Sequence, residues 1–235
     1  MVARDLRERG MVDQPKNAEL RWDERGVPIA ADFDDPYYSF ADGLAETRHV
    51  FLGGNDLPER FDDGFVIAEL GFGTGLNLLA AWDAWMAAGI TTPLQFVSFE
   101  AFPMALEDMR QSLIAWPELV LRAGQMLDAL NTQGFAFTLD GLSAEIVIGD
   151  ARGTVPAWDG AADAWFLDGF SPAKNPELWE ASLMKAVADH TRKGGTVATY
   201  SAAGHVREKL TDAGFNVERV PGFGRKRHMT RGVKR

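Results

Sequence analysis

An apolar run ending in Glu69-Leu70 passes directly into Gly71-Phe72-Gly73-Thr74-Gly75, and a helical pattern begins at Leu76-Asn77. Glycines there let the chain turn tightly and let a ligand approach the backbone, while the helix start offers unpaired N–H groups. Acids stand at the ends of two later runs: Glu100 after Phe99, and Asp150 after Ile148-Gly149, with Ala151 beside it. A carboxylate at the first position can accept from both hydroxyls of a ribose, and one at the second from an adenine amino group. Either acid alone reads equally well as a solvated loop residue. Their recurrence at successive strand ends is what points to a nucleoside.

The third glycine of a dinucleotide-binding loop falls one residue later than Gly75, where this chain has Leu76. An acid two residues before the first glycine suits a cofactor with a positive end better than a pyrophosphate. S-Adenosylmethionine carries a sulfonium and an amino group, and Glu69 can lie near them. The expected cofactor contacts are therefore Glu69, Gly71, Phe72, Gly73, Thr74, Gly75, Asn77, Glu100, Asp150 and Ala151. A fourth apolar run closes on Trp165-Phe166-Leu167-Asp168, then Gly169-Phe170-Ser171-Pro172. An acid at that strand end faces the methyl donor. An amine acceptor is mostly protonated near neutral pH, so a carboxylate that orients it and takes or relays its proton is useful chemistry. Asp168 is expected in that role, its plainer alternative being a cap on the turn. Phe170 and Pro172 are expected to wall the acceptor pocket, Phe170 by stacking on a base.

These residues need an open sheet to bring them together, and the rest of the pattern supplies one. Apolar runs at 65–70, 94–99, 144–148, 164–167 and 196–200 alternate with helical stretches at 76–88, 103–115, 125–130, 176–190 and 205–213. That alternation predicts an α/β fold with a doubly wound, mainly parallel, Rossmann-like sheet. Two closing strands, 216–220 and 228–231, flank a turn containing Gly222 and Gly224, and Asn175 before Pro176 reads as a helix cap. Residues 1–60 read as a small N-terminal extension on a catalytic domain of 61–235. Within it Asp23-Glu24-Arg25-Gly26 forms the turn of a hairpin, and an acidic, aromatic run follows from Asp32 to Tyr38.

Composition narrows the chemistry. The 235 residues are 46% hydrophobic and contain no cysteine and four histidines. This excludes thiolate metal sites and argues against any bound metal. It also excludes a covalent cysteine adduct of the kind used to methylate carbon 5 of a pyrimidine, so the acceptor should already be nucleophilic. Met1 to Gly10 is charged, and no run approaches the length of a membrane span, which predicts a cytoplasmic protein. The net charge of −10 is the wrong sign for nucleic acid held over the whole surface, so RNA binding must be local. Arg225, Lys226, Arg227, Arg231, Lys234 and Arg235 crowd into the C-terminus and are either a solvated tail or that local site. Trp82, Trp85 and Trp116 are expected in packing, not in ligand contact.

The chain resembles the methyltransferase domain of the bifunctional tRNA-modification proteins of the MnmC family and their stand-alone MnmD-like relatives. The resemblance rests on Asn17-Ala18-Glu19-Leu20, Asp32-Phe33-Asp34-Asp35, Glu46-Thr47-Arg48 with Val50-Phe51-Leu52-Gly53-Gly54-Asn55, and the loop Gly71 to Asn77. It extends through Trp165-Phe166-Leu167-Asp168-Gly169-Phe170, Pro172-Ala173-Lys174-Asn175-Pro176 and Gly222-Phe223-Gly224-Arg225-Lys226-Arg227. It implies a class I fold and methyl transfer from S-adenosylmethionine to the exocyclic amine of 5-aminomethyl-2-thiouridine at the tRNA wobble position. It also implies that Asp168 lies beside the transferred methyl, that Lys174 is on the substrate side, and that Arg225, Lys226 and Arg227 contact tRNA phosphates. In the bifunctional proteins a flavin-dependent oxidase follows. This chain stops at Arg235 without a second dinucleotide fingerprint, so methylation alone is expected, on an amine that a separate enzyme supplies. The rivals are a nicotinamide-dependent oxidoreductase, disfavoured by the glycine spacing, an aminopropyl transferase on a similar fold, and a non-catalytic tRNA-binding module, which carboxylates in the groove would not suit.

Overall fold

A computed structural model describes residues 17–39 and 42–235; the charged segment from Met1 to Gly10 lies outside them. The expected hairpin is present. β1 (Leu20–Trp22) pairs antiparallel with β2 (Pro28–Ala30), and the Asp23 carboxylate shapes the turn by accepting from the backbone N–H groups of Arg25 and Val27. β3 (Asp35–Pro36) completes a three-stranded sheet. α1 (Gly43–Thr47) follows, its N-terminus capped by Asp42, and continues through a π-helical turn (Arg48–Leu52) and a 3-10 turn (Gly53–Asn55). Buried Asn55 pins this strap to the main sheet: its amide donates to the carbonyls of Phe51 and Trp165 and accepts from the Thr196 hydroxyl.

The main sheet has eight strands: β4 (Val66–Leu70), β5 (Leu94–Glu100), β6 (Ala136–Leu139), β7 (Leu142–Ile148), β8 (Ala162–Leu167), β9 (Thr191–Thr199), β10 (Phe215–Pro221) and β11 (His228–Lys234). They lie in the order β10-β11-β9-β8-β4-β5-β7-β6, and the five central strands are parallel. From β4 the chain winds outward to β5 and β7, then returns to the other side of β4 as β8 and β9. The switch point therefore lies at the carboxyl end of β4, where an open α/β sheet forms its ligand crevice.

Strand alternation sends successive side chains to opposite faces. Ile67, Phe96 and Phe166 pack with α2 (Leu76–Ala88), α3 (Leu106–Leu113) and α4 (Val120–Gln133), where Trp82, Trp85 and Trp116 are buried. Ala68, Phe99 and Trp165 pack with α5 (Ala151–Ala157), α6 (Ala181–Asp189) and α7 (Gly204–Asp212). Among the described residues no helix is long and apolar enough to cross a membrane.

Several expected elements differ. α4 has 14 residues instead of the six at 125–130, because Ala123, Met126, Leu127 and Leu130 form one buried stripe that carries the exposed residues between them. α3 begins after Pro103, whose carbonyl is taken by the Ala18 N–H. The stretch 176–190 divides into a 3-10 turn (Pro176–Trp179) and α6, with extended Glu180 between them. Asn175 makes no side-chain cap; the break lets Trp179 bury itself and donate its indole N–H to the Phe170 carbonyl at 3.1 Å. β6 and α5 were not expected. β9 ends at Thr199, leaving Tyr200 outside the sheet, and β11 lies inside β10.

Candidate active site

The loop after β4 lies between the ends of β5 and β8, and the register places Leu70 beside both Phe99 and Leu167. Gly71 has φ +84°, and a Cβ there would stand 3.4 Å from the Asp168–Gly169 backbone. Gly73 has φ +52°, and its Cβ would meet the Tyr37 ring at 3.1 Å. The glycines thus let two segments close on the loop as well as leave room for a ligand. Around this point opens a cavity of about 1350 Å³, larger than a small-ligand pocket and wide enough for a nucleoside cofactor with a second group.

Of the residues expected at the cofactor, Gly71, Phe72, Gly73, Thr74, Asn77, Glu100, Asp150 and Ala151 line this cavity. Glu100 accepts from the Gly73 N–H at 3.0 Å through one oxygen and from the Phe102 N–H at 2.8 Å through the other. Desolvation pushes its carboxyl above the usual range, and the backbone N–H groups pull it partly back. Asp150 caps α5 and holds the Arg152 guanidinium at 2.6 Å, a pair that keeps the carboxyl below its usual range. Two expected contacts lie elsewhere. Gly75 is the left-handed residue that opens α2, beneath the cavity. Glu69 is fully buried and accepts from the Asn77 amide at 2.8 Å and the Ser98 hydroxyl at 2.6 Å. Strand alternation is the reason: Glu69 shares the face of Ile67, under α2, and its carboxyl is pushed well up by burial.

Asp168 follows β8 and faces the same cavity. One oxygen accepts from the Gly169 N–H at 2.8 Å and the other from the Asn77 amide at 2.7 Å. Desolvation pushes its carboxyl up to about 6, against the pull of those two donors; Glu46 adds to the rise and Lys226 opposes it. Among the residues expected on the acceptor side, Phe170, Arg225 and Lys226 line the cavity, whereas Pro172, Lys174 and Arg227 do not. Lys174 is turned to the N-terminal segment, onto the Asp34 carbonyl and the Asp35 carboxylate at 3.3 Å. Lys226 is exposed and leans toward the cavity, 2.8 Å from Glu46 and 4.1 Å from the Tyr200 ring centre.

Phe33, Tyr37, Glu46 and Tyr200 also line the cavity, and nothing in the sequence assigned them a site role. Phe33 stacks on Phe170 at 4.6 Å, Tyr37 meets Phe170 edge-on at 5.2 Å, and Asp35 accepts from the Ser171 N–H at 2.8 Å. The acidic, aromatic run at 32–38 was visible, but nothing local tied it to β8. Tyr200 donates to the Gly169 carbonyl at 2.7 Å, and burial pushes its phenol up.

A glycine loop at the switch point of a mainly parallel sheet, with Glu100 at the end of the neighbouring strand and Asp168 across the loop, is the arrangement of an S-adenosylmethionine-dependent methyltransferase of class I. The family model described as S-adenosyl-L-methionine-dependent methyltransferase matches residues 111–235, and this chain belongs to that family. It is 46% identical over 231 residues to the tRNA 5-methylaminomethyl-2-thiouridine biosynthesis bifunctional protein MnmC of Stutzerimonas stutzeri (strain A1501), a match covering 94% of this chain and 35% of that protein. The chain thus spans about a third of the length of the curated relatives it matches. The crystal structure of MNMC2 from Aquifex Aeolicus superposes with a TM-score of 0.75 at 26% identity, covering 94% of this chain and 71% of that one. Spermidine synthase from Thermotoga Maritima, at TM-score 0.52 and 12% identity over 98% of this chain and 84% of its own, shares the fold alone.

Proposed function

We propose that this chain methylates the exocyclic amine of 5-aminomethyl-2-thiouridine in tRNA, giving 5-methylaminomethyl-2-thiouridine. The observation that carries the reading is 46% identity along 94% of the chain to a protein named for that product. The geometry fits the donor. Glu100 accepts from the Gly73 N–H on one oxygen and the Phe102 N–H on the other and stands where a ribose would reach it, while the loop N–H groups and Asp150 border the rest of the cavity. S-Adenosylmethionine supplies the electrophilic methyl. Asp168 accepts a hydrogen bond from the amine, turns its lone pair toward that methyl and takes the proton released as the new N–C bond forms and the S–C bond breaks. Phe170 offers its ring to the base, and the cytoplasm, where tRNA is modified, is the expected compartment.

The test is transfer of label from S-adenosylmethionine into tRNA carrying 5-aminomethyl-2-thiouridine, with tRNA carrying the carboxymethylaminomethyl form as control. Label recovered as 5-methylaminomethyl-2-thiouridine from the first tRNA alone is the expected result. No incorporation with cofactor binding intact would send the search to another acceptor.

Arg225 and Arg227 are exposed at the β10–β11 turn beside the cavity mouth. Replacing both with alanine should weaken tRNA binding and flatten its dependence on salt by about one unit of log–log slope for each phosphate no longer neutralised, leaving cofactor affinity alone. An unchanged salt slope would move the RNA contact elsewhere.

A further inference from the structure

Asn77 stands in the first turn of α2 with its amide fully committed. Its nitrogen donates to Asp168 at 2.7 Å and to Glu69 at 2.8 Å, and its oxygen accepts from the Thr47 hydroxyl at 2.9 Å. An amide nitrogen has two hydrogens, so each carboxylate receives one. The Thr47 donor on one end and two acceptors on the other settle which way the amide points. Serine at 77 would have a single hydrogen to offer, and aspartate would set a third acid against two others.

We propose that Asn77 is the positioning residue of Asp168, anchored by Glu69, Ser98 and Thr47, and that Glu69 belongs to this scaffold and not to the positive end of the cofactor. This rests on the reading of Asp168 as proton acceptor and deepens it. With the Gly169 N–H on the other oxygen at 2.8 Å, the Asp168 carboxylate is fixed at two points. Rotating it away would strand an N–H of buried Asn77, a costly loss. The anchors come from separate places: Thr47 from α1, Glu69 from β4 and Ser98 from β5. The aim of the acid is therefore set jointly by the N-terminal strap and the sheet. Glu69 is fully buried and does not line the cavity, whereas a partner for the cofactor's charge would have to reach it.

The charged and titratable groups acting on Asp168 are Glu46 from α1, Lys226 from the β10–β11 turn, Glu69 from β4 and Tyr200 after β9. All stay in place in Asn77→Ala. That variant should make the Asp168 carboxyl, followed by carbon NMR in cofactor-free protein, titrate at higher pH than in wild type. It should also lower kcat by about tenfold to a hundredfold with cofactor affinity nearly unchanged. Glu69→Gln should leave cofactor affinity close to that of wild type, because the side chain lies outside the cavity, the glutamine oxygen still accepts from Asn77 and the Ser98 hydroxyl can turn to accept from its amide. Thr47→Val should shift the Asp168 titration in the same direction as Asn77→Ala, by less, and serves if the alanine variant does not fold. An unmoved Asp168 titration in Asn77→Ala, or in Thr47→Val where the alanine variant does not fold, would overturn the proposal. So would a loss of about tenfold or more in cofactor affinity in Glu69→Gln. Failure of the acceptor assignment would look different: wild type would not label the tRNA, while the titrations and affinities followed the pattern above.

Discussion

Replacing Asp168 with asparagine should lower methyl transfer by about 10²- to 10⁴-fold with cofactor affinity changed little, the range expected when a positioned proton acceptor is removed. The same substitution should change how stability depends on pH. In the folded, cofactor-free protein the carboxyl sits at about 6 against an ordinary 3.8, chiefly through desolvation. The fold therefore favours the protonated form. Stability from this group is fully present below about pH 4 and is lost as pH rises through about 6. Relative to the asparagine variant, wild type should lose about 2 to 3 kcal/mol between pH 4 and pH 7. Activity runs the other way, because only the ionised carboxylate can take the amine's proton. Urea melts across pH and single-turnover rates on the same two proteins check both halves. Near-normal turnover in the variant would remove Asp168 from the mechanism, and a flat stability difference would remove its raised pKa.

Asp168, Glu100 and the glycine loop were readable because each sits at a strand end with a local signature, and topology gathers strand ends. Glu69 was equally visible, but the structure buries it outside the cavity. Its spacing from the glycines is local, whereas the face it takes follows from strand alternation, which turns it under α2 to Asn77. The Asn77 contact with Asp168 spans 91 residues, and the Glu46 contact with Lys226 spans 180. No window contains both members of either pair. Phe33 and Tyr37 depend on how a short three-stranded sheet docks over the β8 loop. Lys174, placed on the substrate side by resemblance, and Lys226, part of the basic C-terminal cluster, both pair with acids of the N-terminal segment, Asp35 and Glu46. The division of 176–190 had the same kind of cause: burial of Trp179 overrode a plausible proline-led helix start.

Glu100→Gln should weaken cofactor binding by about 10²- to 10³-fold with little change in shape, since the side chains are nearly isosteric. Each carboxylate oxygen already accepts one backbone N–H, from Gly73 and from Phe102. A ribose with two adjacent hydroxyls needs two acceptors, and only a carboxylate can serve four donors at once. The glutamine NH₂ would face one of those backbone donors and offer a hydrogen where a hydroxyl needs a lone pair. Two hydrogen bonds to a charged group are worth roughly 3 kcal/mol or more together, which sets the size of the effect. The comparison that separates this from simple loss of charge is S-adenosylhomocysteine, which has the same ribose and no sulfonium. If Glu100 acts on the ribose, calorimetric titration should show both ligands weakened by the same factor. If it acts on the positive end, S-adenosylmethionine should lose far more. Unchanged affinity for both would mean that Glu100 serves only to brace the glycine loop, and the nucleoside would have to lie elsewhere along the strand ends.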